Sequence, residues 1–171
     1  MYLKKPSKNE EKEFFSLIAE VNNFDGNFEG ARNIKDIDDY IGWLDKLKIY
    51  EKSETVPEGK VPGNTYFAME DERIIGIVNL RFYLNDALRK HGGHIGYFIR
   101  PSERGKGKGT KMLELCLDEA KKYDLDKVMI TCRVENIASA RVMEKNGGVY
   151  EGNYVNEDGQ VYKNYWINIE K

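Results

Sequence analysis

Three glycines alternate with two lysines in one short segment, and this segment holds the residues with the clearest chemical use. It reads Arg104-Gly-Lys-Gly-Lys-Gly-Thr110. Glycines let the backbone adopt positive φ and approach a ligand closely, and the free N–H groups of a helix's first turn attract anions. The segment is therefore a candidate phosphate-binding loop. Its candidate contact residues are Arg104, Gly105, Lys106, Gly107, Lys108, Gly109 and Thr110.

Two common phosphate loops have a different glycine spacing. A P-loop requires Gly-x-x-x-x-Gly-Lys followed by Ser or Thr, and the dinucleotide fingerprint requires Gly-x-Gly-x-x-Gly. Here glycine occurs at every second position. Taken alone, the loop is also compatible with a glycine-rich turn whose lysines are simply solvated.

The segments on either side of the loop predict how it is held. An apolar run from His94 to Ile99 has strand character, and Met112 to Tyr123 has apolar residues at helical spacing. Alternating apolar residues from Lys127 to Val134 predict the next strand. The loop therefore joins a strand to a helix in a βαβ unit with parallel neighbours.

The remaining chain predicts an α/β protein with a single domain over residues 1–171. The predicted order is strand, two helices, three strands, helix, strand, helix and two strands. Ser7 and Glu10 form a capping box before the first helix, and the second helix is expected to begin near Asn33. Residues 85–93 are expected to be a polar connection, and residues 148–169 a hairpin.

Composition excludes several functional classes. The net charge of -2 and the pI of about 5.8 give no general attraction to nucleic acid or to an anionic membrane. No apolar run approaches the length of about 18 residues that a membrane helix needs. The N-terminal residues have no apolar signal core, so the expected location is the cytoplasm.

The cysteines and histidines do not predict a metal site. Cys116 and Cys132 lie inside apolar patterns without metal-like spacing, which favours reduced, buried thiols. His91 and His94 are close in sequence, but no carboxylate or thiolate accompanies them. We therefore expect no metal.

Three motifs resemble those of the GNAT superfamily of N-acetyltransferases. Arg104-x-x-Gly107-x-Gly109 resembles the family's (Gln/Arg)-x-x-Gly-x-(Gly/Ala) signature, and residues 95–101 resemble the strand before it. Residues 136–147 resemble the later Asn-x-x-(Ser/Ala) and Glu-Lys-x-Gly helix. The resemblance covers nearly the whole chain. It implies the GNAT fold, a mixed and mostly antiparallel sheet of about seven strands with a splayed central parallel pair and about four helices.

The resemblance also implies acetyl-CoA as the donor. The loop would hold the pyrophosphate, and the pantetheine arm would enter the wedge between the two splayed strands. Backbone groups of Phe98 and Ile99 would pair with the arm, and Asn136 and Ser139 would face it. Helix capping explains Asn136 equally well.

Family members commonly let an amine attack the thioester directly, so no nucleophilic Ser or Cys is required. His94 occupies the position of a glutamate base in several relatives, and base, water-holder and structural roles all remain open for it. Met143 occupies the position of a tyrosine that protonates the leaving thiolate. Tyr97, Tyr150 or Tyr154 could replace that tyrosine, with Tyr150 taken as the candidate acid, or the thiolate could leave unassisted.

The acceptor is expected to be a primary amine of a small molecule or peptide. Its candidate binding residues are Asn79, Arg81 and Tyr83, although a strand arginine is also commonly ion-paired. The alternative function is a catalytically silent acyl-CoA-binding or sensor module, which Met143 favours. A nucleic-acid binder is disfavoured by the acidic charge. Exposed edges of the final hairpin favour a homodimer.

Overall fold

The computed structural model describes residues 1–28, 30, 34 and 36–169. In these ranges it contains seven strands and five α-helices. The strands are β1 (Tyr2–Lys4), β2 (Gly63–Glu70), β3 (Arg73–Arg81), β4 (Ile95–Ile99), β5 (Lys127–Arg133), β6 (Val149–Val155) and β7 (Val161–Asn168). The helices are α1 (Glu11–Phe24), α2 (Tyr40–Tyr50), α3 (Asp86–Lys90), α4 (Lys108–Ala120) and α5 (Ile137–Lys145).

The strands form two antiparallel sheets that meet along β4 and β5. One sheet has the order β1-β2-β3-β4, and the other has the order β5-β7-β6. At one end the His94 N–H donates to the Met129 carbonyl at 2.7 Å, and the Met129 N–H donates to His94 Nδ1 at 2.9 Å. No ladder joins the described residues of β4 and β5 beyond this point. The predicted splayed pair is therefore confirmed.

Two hydrophobic clusters pack on opposite faces of the four-stranded sheet. Helices α1 and α2 cover one face, where Phe14, Trp43 and Phe67 stack. Helix α4 covers the other face, and α5 packs on α4, β5 and β7. The register shifts opposite the Ala68–Met69 step, where Ile75 of β3 has no register partner on β2, so the alternation of sides along β3 is interrupted there.

The second helix begins later than expected. Residues 36–39 are not helical, and Asp39 caps α2 by accepting from the Gly42 N–H at 2.8 Å. The prediction of a start near Asn33 falls outside the described residues. Aspartate competes for backbone N–H groups and is favoured at the cap, which explains why the start moves to the last acidic residue.

The connection after β3 contains a short helix, α3, that the sequence analysis missed. Asn85 caps it by accepting from the Leu88 N–H at 3.0 Å. The predicted capping box is confirmed, because Ser7 and Glu10 satisfy each other's backbone. Across the described part of the chain, no helix combines the length and apolarity needed to cross a membrane.

A buried arginine fixes α1 to the end of β4. Arg100 is 3% exposed at its side chain, forms ion pairs with Glu13 and Glu20, and donates to Ser16 Oγ at 2.8 Å. Its N–H also donates to the Ile75 carbonyl. Arg100 therefore sets the position of the strand end from which the glycine-rich loop departs.

Candidate active site

One cleft, called the donor cleft, is about 660 Å³ and lies between the glycine-rich loop, β4 and α5. It is lined by all of residues 104–110 except Lys106, by Phe98 and Ile99, and by Asn136 and Ser139. Lys106 instead pairs with Glu103 at 3.3 Å. The structure therefore brings together, around one cleft, almost all the residues that the sequence nominated for the cofactor.

The loop backbone is shaped to receive an anion. Gly105 and Gly107 have φ of 75° and 77°, and Gly107 is the N-cap of α4. An added Cβ at either glycine would have no atom within 4 Å, so the space beside the backbone is open. The first N–H groups of α4 lack intrahelical acceptors and point out of the helix end. This donor set fits a phosphate group.

The cations of the loop are held by carboxylates. Arg104 forms an ion pair with Asp25 at 2.5 Å, lies over the Phe24 ring and donates to the Ile99 carbonyl at 3.1 Å. Lys108 pairs with Glu70. Burial is the largest single effect on the Asp25 carboxyl and raises its pKa. The hydrogen bonds and the charge of Arg104 outweigh it, so the net pKa of Asp25 is lowered. These contacts place the cations at the cleft before any ligand enters.

Two further cations face the donor cleft from α5. Arg141 and Lys145 line it one helical turn apart. The sequence analysis missed both, although their i, i+4 spacing on a helix that begins with a cofactor motif was an available signal.

The open edge of β4 can be assigned from its register. The Arg81 N–H donates to the His94 carbonyl, and the Arg100 N–H donates to the Ile75 carbonyl. Because bonded pairs alternate along an antiparallel ladder, the backbone groups of Phe98 face β3 and those of Tyr97 and Ile99 face the gap. The sequence suggested that Phe98 and Ile99 would pair with a bound arm. The register instead makes the backbone groups of Tyr97 and Ile99 available for that pairing.

A larger cleft, called the acceptor cleft, is about 1080 Å³ and runs between α2, α3 and the strands β4 and β5. The two clefts share four lining residues, which are Tyr97, Arg133, Asn136 and Ser139. The Tyr97 hydroxyl lies 2.9 Å from Ser139 Oγ at this junction. Arg133, at the end of β5, was missed by the sequence analysis because nothing local distinguishes it from a solvated strand end.

Asn136 has the capping role that the sequence offered as its alternative. Its Oδ1 accepts from the Ser139 N–H at 3.0 Å, which begins α5 at the junction. This cap fixes the position of Ser139 and, through it, the orientation of the Tyr97 hydroxyl.

The candidate acceptor residues occupy different environments. Arg81 lines the acceptor cleft but donates to the carbonyls of Gly92 and Gly93 at 3.2 and 2.9 Å. Asn79 is 1% exposed and lines neither cleft. Tyr83 is 47% exposed and lies outside both. Of the three, the structure brings only Arg81 to the cleft.

The candidate acid Tyr150 also lies away from the junction. It is 51% exposed on β6 and donates to Asn153 Oδ1 at 2.9 Å. Met143 is fully buried in the core. Tyr97 is thus the tyrosine that the described structure places between the two clefts, and burial raises the pKa of its phenol, so it stays protonated at neutral pH.

His94 is a buried connector between the sheets and lines neither cleft. Its Nδ1 accepts from the Met129 N–H, and the preceding Gly93 packs so closely that an added Cβ would lie 2.3 Å from the Met129 carbonyl oxygen. Burial, with the nearby charges of Arg81 and Arg89, lowers the His94 pKa to about 4. These contacts favour the structural alternative, and the base role stays a prediction.

Both cysteines are buried and neither forms a disulfide, and burial raises the pKa of the Cys116 thiol. The described residues contain no cluster of three metal-ligating side chains.

Comparisons with known proteins agree with this geometry. A family model described as an acetyltransferase (GNAT) domain matches residues 3–149. A search of curated proteins finds no match. Among solved structures, yncA of Salmonella typhimurium, a putative acetyltransferase with its cofactor acetyl-CoA, is 14% identical with a TM-score of 0.67, over 99% of this chain and 94% of that chain.

Two other solved structures are similar over the same extent. An acetyltransferase of Salmonella typhimurium that modifies the N-terminal serine of ribosomal protein L7/L12 is 17% identical, with a TM-score of 0.66 and coverage of 98% and 94%. Spermidine N-acetyltransferase SpeG of Vibrio cholerae, in a mutant form, is 19% identical, with a TM-score of 0.64 and coverage of 98% and 95%.

The connector role of His94 predicts a specific pH dependence of stability. The folded pKa of about 4 lies below the reference value of about 6.5, so the unfolded chain takes up the proton first. The free energy of unfolding should therefore fall as the pH decreases from about 6.5 to 4, by on the order of 2–3 kcal/mol. Urea unfolding at a series of pH values measures this change.

His94→Asn is the matched variant, since its Oδ1 can accept from Met129 without titrating. The pH-dependent loss between 6.5 and 4 should shrink in this variant. Parallel pH profiles for the two proteins would show that His94 titrates as an ordinary exposed histidine.

Proposed function

The chain belongs to the GNAT acetyltransferase domain family, and from this premise we propose that it transfers an acetyl group from acetyl-CoA to a primary amine. The observation that carries the proposal is the junction of the two clefts at Tyr97, Arg133, Asn136 and Ser139. A donor and an acceptor that approach from opposite clefts would meet there. Holding two reactants in contact supplies much of the rate gain in such transfers.

The donor cleft supplies what CoA requires. The free N–H groups of the α4 N-terminus suit the pyrophosphate, and Arg104, Lys108, Arg141 and Lys145 add positive charge around it. The open edge at Tyr97 and Ile99 offers backbone groups to the amides of the pantetheine arm. When bound, acetyl-CoA supplies an activated acyl group on a thiol leaving group.

Direct attack by the amine is the mechanism that the junction favours. Of its four residues, none is a histidine or a carboxylate that could activate the Ser139 hydroxyl. Cys116 is buried with a raised pKa, so it is a poor nucleophile. The amine nitrogen would therefore form the new bond to the acyl carbon as the carbon–sulfur bond breaks, without an acyl-enzyme. The amine would release one proton for the one that the thiolate takes up.

We assign to Tyr97 the role that the sequence analysis gave to Tyr150. The Tyr97 phenol holds its proton at neutral pH, and Ser139 Oγ at 2.9 Å orients the hydroxyl. From the junction the hydroxyl can hydrogen-bond to a departing thiolate and donate its proton. Tyr150 lies on β6 and lines neither cleft, which disfavours it in that role.

The acceptor class is a small-molecule or peptide amine. Two of the similar structures support this breadth, because one acts on a protein N-terminal serine and the other on spermidine. The acceptor cleft is large enough for either kind of ligand. Two cysteines that form no disulfide suit a cytoplasmic location, which we propose as well.

The second candidate function is a silent acyl-CoA-binding module, favoured by the buried Met143 in place of a tyrosine. Both candidates bind CoA, so binding and turnover must be measured separately.

Acetyl-CoA should raise the melting temperature. At a ligand concentration 100 times Kd, binding should increase the free energy of unfolding by about 2.7 kcal/mol. Incubation with a panel of primary amines should then release free CoA thiol above the rate of hydrolysis. Differential scanning calorimetry and a thiol assay measure the two effects. Stabilisation without thiol release for any amine would favour the silent module, and no stabilisation would contradict both functions.

Tyr97→Phe should lower kcat by about 10- to 100-fold, since general acid assistance typically contributes at least this much. The Kd of acetyl-CoA should change less than twofold, because the phenyl ring and the backbone edge remain. Steady-state kinetics and calorimetric titration measure the two quantities.

Tyr83→Phe and Tyr150→Phe are matched controls, since each removes one hydroxyl from a tyrosine outside both clefts. Both should keep wild-type kcat. An unchanged kcat in Tyr97→Phe, or an equal loss in Tyr150→Phe, would remove Tyr97 from the mechanism.

A further inference from the structure

Two described residues of the connection between α1 and α2 contact β4: Phe28, whose ring centroid lies 6.3 Å from that of Phe98, and Gly30. Gly30 has φ of +90°, and its missing side chain faces the strand, since an added Cβ would lie 2.1 Å from the Tyr97 carbonyl oxygen. The contact is close from the other side too, because a Cβ on Gly96 would lie 3.1 Å from the Gly30 carbonyl oxygen. Two glycines thus allow one backbone to lie directly on the other.

A buried asparagine holds this contact. Asn79 Nδ2 donates to the Gly30 carbonyl at 3.3 Å, from the position on β3 directly opposite Gly96. Thr65 Oγ1 donates to Asn79 Oδ1 at 2.7 Å. Because the carboxamide oxygen is already occupied by Thr65, the amide group is left to face Gly30. The three residues form a chain from the sheet interior to the connection.

The contact lies on the acceptor side of the junction. Gly30, Gly96 and Tyr97 all line the acceptor cleft, whereas Asn79 does not reach it. Tyr97 also carries the hydroxyl at the junction and the backbone edge that faces the gap. A shift of Gly30 would therefore move the cleft wall next to the reacting groups.

We propose that Asn79 is a positioning residue for the acceptor, and that it acts by holding Gly30 against the Gly96–Tyr97 backbone. The inference rests on the proposed transfer reaction and replaces the earlier expectation that Asn79 binds the acceptor itself. It needs the carboxamide specifically. An aspartate at this position would place a carboxylate oxygen, which accepts hydrogen bonds, against the Gly30 carbonyl, which also accepts. A leucine would leave both the Gly30 carbonyl and the Thr65 hydroxyl without their Asn79 hydrogen bond.

Asn79→Leu and Asn79→Asp should raise the KM of the acceptor by about 5- to 10-fold, a loss of the size expected for one displaced contact group. The KM of acetyl-CoA should stay within twofold of wild type, because Gly30 and Gly96 line the acceptor cleft and not the donor cleft. Thr65→Val should give a smaller change in the same direction, and Thr65→Ser should restore wild-type values. Steady-state kinetics with both substrates varied measures these effects.

The matched control is Asn64→Leu. Asn64 is a buried asparagine on β2, 3% exposed, that bonds to Tyr66 and lines neither cleft. It should lower the melting temperature without changing the KM of the acceptor. Equal KM changes in the two asparagine variants would show that Asn79 acts only through global stability and would overturn the inference.

A measurement without substrate tests the same tie independently of turnover. In amide hydrogen exchange followed by mass spectrometry, the peptide containing Gly30 should exchange faster in Asn79→Leu than in wild type, and Asn64→Leu should leave that peptide unchanged. Unchanged exchange in Asn79→Leu would overturn the inference even if the wild-type protein acetylates no amine. Absence of wild-type turnover alone would instead contradict the proposed reaction.

Discussion

Two hydrogen bonds between His94 and Met129 are the interaction on which the site depends. They join the four-stranded and three-stranded sheets at one end and leave β4 and β5 to diverge. Without these two hydrogen bonds, β4 and β5 would not be held together at the end from which they diverge. With a continued ladder, the backbone groups of Tyr97 and Ile99 would already be paired. The structure thus keeps an open strand edge inside the protein, where a ligand rather than another chain can reach it.

The elements around this opening divide the work between backbone and side chains. The N-terminus of α4 offers neutral N–H donors, while the surrounding cations are held in place by carboxylates such as Asp25 and Glu70. An incoming anion competes with those carboxylates for Arg104 and Lys108. The same ion pairs offset the repulsion between neighbouring positive charges at the cleft. The Asp25 partner also ties the glycine-rich loop to the start of the connection that carries Gly30.

The sequence predicted those parts of the site whose geometry is local. Gly105 and Gly107 require positive φ, and Asn136 caps the helix that follows it, so neighbouring residues suffice to place them. The strand order and the splayed pair followed from the βαβ pattern and the family motifs. These features need no knowledge of distant contacts.

The rest depends on contacts between distant residues. His94 is tied to a backbone group 35 positions later, and Asn79 to a carbonyl 49 positions earlier. The choice between Tyr97 and Tyr150 depends on how β4, α5 and β6 pack, which no local pattern encodes. The backbone groups of Phe98 point away from the gap because of the strand register. A shift of the register by one residue would reverse the direction of every backbone group along the strand.

Amide hydrogen exchange by NMR tests the open edge most directly. With saturating CoA, the N–H groups of Tyr97 and Ile99 should exchange more slowly, because they become paired with the bound arm. The N–H of Phe98, which already faces β3, should change little. Equal protection across β4, or protection of Phe98 without Ile99, would contradict a cofactor arm paired along this edge.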